Sequence, residues 1–196
     1  MKNHGFIRTA AAVPVVKVAD VAHNVEQICR LACEAAEKEA ALVVFPELSL
    51  TGATCGDLFG NSLLIKAAEE GVKQIAEFSR GKDITIVVGA PVKYANCLYN
   101  TSVIINNGIV KGVIPKVFVT PAENKWFTSG ANVPSEVIPY AGDLCTMSPD
   151  MLFSIGGAEF AVELGEDLWA PIPSSSNHAL LGAHIIVNLS DRKSVV

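Results

Sequence analysis

A run of five residues without a polar side chain, Ala41-Leu-Val-Val-Phe45, lies between two stretches of helical apolar spacing. A strand that is apolar on both sides must be covered on both faces, so this arrangement demands a layered α/β fold. Upstream, Val21–Ala40 places Val21, Val25, Ile28, Ala32 and Ala35 on one helix face, with Asp20 as its N-cap. Downstream, Asn61–Arg80 reads as a second amphipathic helix that stops at Gly81. Phe6–Val13 and Ile84–Gly89 complete the early strands. Hairpins follow: Leu98–Ile105 and Ile109–Ile114 flank Asn106-Asn-Gly108, and Met151–Ile155 and Glu159–Leu164 flank Gly156-Gly157. Ser174–Leu181 reads as a short helix and Ile185–Leu189 as a strand. Strands alternate with helices early and pair as hairpins later, so the sheet should be mixed. With 196 residues, 50% hydrophobic and only 18% charged, one domain with well-covered sheets is expected.

The formal charge of −5 and the lack of a Lys/Arg cluster argue against nucleic acid as a partner. No apolar run approaches the ~18 residues of a membrane span and no signal-peptide core opens the chain, so no membrane partner and a cytoplasmic location are expected. The five cysteines show no metal spacing: Cys29 and Cys33 share a helix face but lack the further ligands zinc requires, and His23, His178 and His184 form no ligand set. No metal is expected. Asp191-Arg-Lys-Ser-Val-Val196 matches one reading frame of a common sequencing adapter, so native sequence is expected over 1–190, with a non-native tail at 191–196.

Three segments carry chemistry. Glu47 sits in Val43-Val-Phe-Pro-Glu-Leu-Ser-Leu-Thr-Gly52, and Lys116 ends Gly112-Val-Ile-Pro-Lys116. Gly165 lies in Phe160-Ala-Val-Glu-Leu-Gly-Glu-Asp-Leu-Trp-Ala170, where a nucleophile elbow would carry cysteine. In this order they resemble the carbon–nitrogen hydrolase (nitrilase) superfamily. The words Ala53-Thr-Cys-Gly-Asp-Leu-Phe59 and Gly165-Glu-Asp-Leu-Trp169 narrow the resemblance to glutaminase domains of glutamine-dependent NAD+ synthetases, over His4 to Ser190.

That resemblance implies an α-β-β-α sandwich with mixed sheets, incomplete at its C-terminus. It implies Glu47 as general base, Lys116 as oxyanion stabiliser, and Gly165 at the position of the missing nucleophile. Glu123, in Glu123-Asn-Lys-Trp-Phe127, matches the family's second glutamate, although Lys125 stands where the family has arginine. The loop after Lys116 is about four residues shorter than the family's and lacks its substrate-contacting tyrosine. Glu166 and Trp169 are expected at the substrate, with turn-capping by Glu166 and Asp167 as the plainer alternative. The implied partners are L-glutamine, a synthetase domain and further copies of the chain. No cofactor is implied for this domain, while ATP and Mg2+ would serve the synthetase domain.

Glycine supplies no nucleophile, and losing one from a comparable covalent hydrolase costs about 10⁶-fold in turnover. Gly165 as a natural replacement, a reading error and a deliberate substitution all remain open. So do three functional readings: a glutaminase domain that has lost its nucleophile, a catalytically silent structural or ammonia-gating module, and a stand-alone amidase. Cys55 is the sole alternative thiol close to Glu47 in sequence.

Overall fold

The computed structural model describes residues 5–190; the expected tail at 191–196 lies outside the described residues. Two sheets stack face to face. The larger has seven strands: β1 (Thr9–Ala11), β2 (Leu42–Val44), β3 (Thr85–Tyr94), β4 (Cys97–Asn106), β5 (Ile109–Pro115), β6 (Glu136–Tyr140) and β7 (Asp143–Met147), in spatial order β1-β2-β3-β4-β5-β7-β6. The smaller has β8 (Leu152–Ile155), β9 (Ala158–Leu164) and β10 (Ile185–Leu189), in order β10-β9-β8. Parallel pairs β1·β2, β2·β3, β5·β7 and β9·β10 combine with antiparallel hairpins, so both sheets are mixed as expected.

Each layer has a sequence cause. Helix α1 (Val21–Glu37) is capped by Asp20, whose Oδ1 accepts from His23 N at 3.1 Å, and it buries the predicted face of Val21, Val25, Ile28, Ala32 and Ala35. It ends three residues before the expected Ala40, because Glu39 turns into the left-handed region at φ +59°. Helix α2 (Ser62–Ser79) is capped by Asn61 and buries Leu64, Ala68, Val72 and Ile75. Both helices pack with Val43, Ile86, Val88, Val103 and Ile105 on one side of the large sheet. On its other side Leu42, Val87, Ile104 and Ile114 meet Phe160, Val162, Leu164, Val187 and Leu189 of the small sheet. Short helix α3 (Ser174–Leu180) lies against the small sheet's outer side, where Ser175 N donates to Glu163 Oε2 at 3.0 Å. The layers therefore run α-β-β-α.

Several expectations need correction. β1 is three residues instead of the eight of Phe6–Val13. β3 runs five residues past Gly89 through Pro91, because β4 pairs with it along its whole length. The hairpin β6–β7 was absent from the sequence reading. His178, which joins no ligand set in the sequence, lies on helix α3 and is buried, its Nε2 3.1 Å from Pro149 O. Among the described residues, no helix is long and apolar enough to cross a membrane.

Candidate active site

The apolar seam between the two sheets gives way to a polar cluster. Glu47 follows β2 in a tight loop whose Leu48 has φ +52°. This loop presses onto β3 so closely that a Cβ at Gly89 would lie 2.3 Å from Leu48 N and 2.6 Å from Pro46 O. Only glycine fits there, and Leu50 N bonding to Gly89 O at 3.2 Å locks the contact. Lys116 directly follows β5, its backbone N bonded to Asn100 O of β4 at 2.8 Å. Both groups therefore stand on rigid strand ends.

Lys116 is 1% exposed, and its ammonium meets three carboxylates: Glu47 Oε1 at 2.7 Å, Glu123 Oε1 at 2.8 Å and Glu166 Oε2 at 2.6 Å. A lysine has three N–H donors, so all are committed. Carboxylate oxygens of the three glutamates lie within 4.8 Å of one another, a spacing that could hold a cation, and the Lys116 ammonium bonds to all three.

Gly165 directly follows β9 at φ +45° and opens the 3-10 segment Gly165–Trp169. A Cβ built there would lie 2.8 Å from Glu47 Oε2 and 3.3 Å from Lys116 Nζ. The structure thus brings Glu47, Lys116, Glu123, Gly165 and Glu166 together. Asp167 takes the capping role: buried, it accepts from Leu164 N, Val117 N and Phe118 N at 2.7–3.3 Å, tying the elbow to the loop after Lys116. Trp169 is two-thirds exposed and is not among the cavity-lining residues. Cys55 is buried with its thiol on Thr51 O at 3.0 Å, and it does not line the cavity either.

A cavity of about 250 Å³ opens beside the cluster, lined by Glu47, Glu123 and Glu166 and walled by Phe59, Trp126 and Phe127. That is below the ~300–1,000 Å³ of drug-sized sites and suits a small ligand. Lys125, in the arginine position, pairs with Asp57 at 2.6 Å on the exposed surface, away from the ammonium cluster.

Charge sets the protonation pattern, because three carboxylates share one ammonium. Burial pushes the Glu47 carboxyl up to about 7, with Lys116 opposing and the other two glutamates adding to the rise. Burial also works against the Lys116 ammonium, yet the surrounding carboxylates outweigh it and its proton is held more tightly than usual. Burial opposes ionisation of Glu123, but Lys116 and the donors of Thr120 keep it below the ordinary range. Asp167 is raised by burial, which its backbone donors only partly offset. Glu47 is thus the carboxyl poised to exchange a proton near neutrality.

Two contributors carried no motif. Asn100, fully buried in β4, donates from Nδ2 to Glu47 Oε1 at 2.5 Å and to Glu123 Oε1 at 3.5 Å. Asn188 of β10 donates to Gly165 O at 3.2 Å. For Asn100 the available signal was three consecutive polar residues, Asn100-Thr101-Ser102, inside an otherwise apolar strand.

A carbon–nitrogen hydrolase family profile matches residues 8–144, well over half of the chain. The chain belongs to the carbon–nitrogen hydrolase family. Within this family it is 34% identical to a glutamine-dependent NAD+ synthetase of Mycobacterium leprae, over 96% of this chain and 28% of that protein. A crystal structure of a glutamine-dependent NAD+ synthetase from Cytophaga hutchinsonii superposes with a TM-score of 0.83 at 28% identity, over 95% of this chain and 30% of that one. An amidase from Nesterenkonia sp. shares the fold, with a TM-score of 0.75 at 22% identity over 94% of this chain and 64% of that one. This carbon–nitrogen hydrolase chain therefore spans under a third of the length of the synthetases it matches.

Proposed function

We propose that this is a carbon–nitrogen hydrolase site for a small carboxamide, L-glutamine by kinship, whose nucleophile position is vacated by Gly165. The observation that carries the reading is the place of the absent Cβ, 2.8 Å from a carboxylate oxygen and 3.3 Å from an ammonium. A thiol borne there would face a base and an electrostatic stabiliser together, the arrangement covalent amide hydrolysis requires. In a thiol-bearing version Glu47 takes the thiol proton, sulfur attacks the carboxamide carbon, and Lys116 with a backbone N–H stabilises the oxyanion. Ammonia leaves with a proton from Glu47, and water then cleaves the thioester with Glu47 as base. Because Lys116 has no free N–H, one carboxylate must yield during this step. Glu166 is the most exposed of the three and the one suited to move.

The glycine-bearing chain lacks this covalent route, and the proposal for it is ligand binding without turnover. The ammonia would supply NAD+ synthesis in a synthetase region, a reading that rests on the relatives' names; ATP and Mg2+ for that region follow only from the sequence resemblance. The shortened loop after Lys116 favours a second reading, an amidase for another small amide, in keeping with the Nesterenkonia likeness.

The test is denaturing mass spectrometry of the Gly165→Cys variant mixed with L-glutamine. A glutamyl adduct is expected. An adduct with simple aliphatic amides but not with glutamine would favour the amidase reading, and a folded variant that forms no adduct contradicts both.

A further inference from the structure

Asn100 stands at the crossing point of the cluster's connections. Its backbone O accepts from Lys116 N at 2.8 Å, and its Nδ2 donates to Glu47 Oε1 at 2.5 Å and reaches Glu123 Oε1 at 3.5 Å. It sits in the middle of the large sheet, paired with Pro91 of β3 on one side, while the next residue, Thr101, pairs with Pro115 of β5 on the other. Strand alternation puts its side chain on the same face as Ile104, the face turned to the small sheet and Gly165.

The amide's other end is informative. Asn100 Oδ1 is buried and has no hydrogen-bond partner. An apolar residue of similar size would fill this position without leaving a buried acceptor unpaired. Turning the amide round would set Oδ1 against carboxylate oxygens that, when charged, have nothing to donate. The orientation seen is thus the one a charged Glu47 selects, and its cost at Oδ1 is offset only at the carboxylates.

We infer that Asn100 is a positioning residue for Glu47: its N–H fixes the rotamer of the carboxylate that faces residue 165 and favours that carboxylate's charged form. It acts through Glu47 without touching the substrate, and it does so against the like charges of Glu123 and Glu166, with Lys116 the sole cation paired with Glu47 among the described residues. The inference rests on the reading of Glu47 as base for its catalytic meaning, but not for its physical test.

That test is a pH titration of the full chain labelled with ¹³C at the glutamate side-chain carboxyls, with the Glu47 signal identified by its loss in Glu47→Gln. Asn100→Leu keeps the number and branching of side-chain heavy atoms and removes the donor. A hydrogen bond to a charged group is worth about tenfold or more in proton affinity, so the Glu47 midpoint should rise by about one pH unit or more. Asn100→Ser retains a shorter donor and should fall between the two. A merely structural asparagine would lower the melting temperature and leave the midpoint where it is. An unmoved midpoint in either folded variant overturns the inference. Should Asn100→Leu not fold, Asn100→Ser decides alone. The catalytic reading fails separately, if the midpoint moves with Asn100 but a thiol introduced by Gly165→Cys shows no dependence on Glu47.

Discussion

The two halves of the site come from different sheets and carry different things. The large sheet supplies Glu47, Lys116 and Asn100 on strand ends and strand interiors paired on both sides, and here the chemistry is complete. The small sheet supplies the turn after β9, where Gly165 contributes backbone geometry and no side chain. The positive φ of Gly165 and the three backbone amides gathered by Asp167 hold this turn at the place the proposed function gives to a nucleophile. Under the proposed function, the contrast teaches that the shape of a covalent site and its reactivity are separable: the turn needs Asp167 and the β9–β10 ladder, whereas the proposed reaction needs one sulfur atom.

Variants can break each half in turn. Lys116→Met should have the largest effect, about 3–5 kcal/mol of stability, because it leaves three converging carboxylates with no cation. Chemical denaturation at pH 7 would measure it, and a loss below about 1 kcal/mol would mean that the cluster is not a buried charge network. Asp167→Ala strikes the joint between the halves by orphaning the N–H groups of Leu164, Val117 and Phe118, for about 2–3 kcal/mol. Hydrogen exchange should rise at those amides and leave α1 unchanged; uniform exchange across the chain would contradict the local role.

The smallest of these effects depends on pH. Glu47 is held at about 7 in the fold against 4.5 in the unfolded reference, so the folded state prefers it protonated. That contribution is fully present below about pH 4.5 and is lost as pH rises through about 7. Glu47→Gln, neutral at every pH, should therefore gain on the parent between pH 5 and pH 8, by on the order of 1–3 kcal/mol. Thermal melts at the two pH values check this, and a gain confined to pH 5 would reverse the sign.

The two halves were also unequally legible in the sequence. Glu47, Lys116 and Gly165 stood out because each ends an apolar strand inside a recognisable word. Helices α1 and α2 were clear from their caps and periodic faces. The β6–β7 hairpin was hidden because Pro139 interrupts its first strand and the exposed Val137 and Leu144 blur the alternation of its buried Ile138, Tyr140, Cys145 and Met147. Asn100 was hidden for the opposite reason: the polar run Asn100-Thr101-Ser102 in a buried strand marks no partner by itself, and the role of Asn100 exists only once β4 lies beside the Glu47 loop. For Asp167 the sequence left turn-capping and substrate contact both open, and turn-capping is the part it takes in the structure.

The central claim is that residue 165 occupies a nucleophile's seat served by Glu47. The most direct measurement is the rate at which iodoacetamide alkylates Gly165→Cys at pH 7, alone and combined with Glu47→Gln. With its flexible carboxylate eased back from the 2.8 Å contact with that Cβ, Glu47 should make the thiol react at least about tenfold faster than in the double variant. Equal rates in two folded proteins would contradict the account.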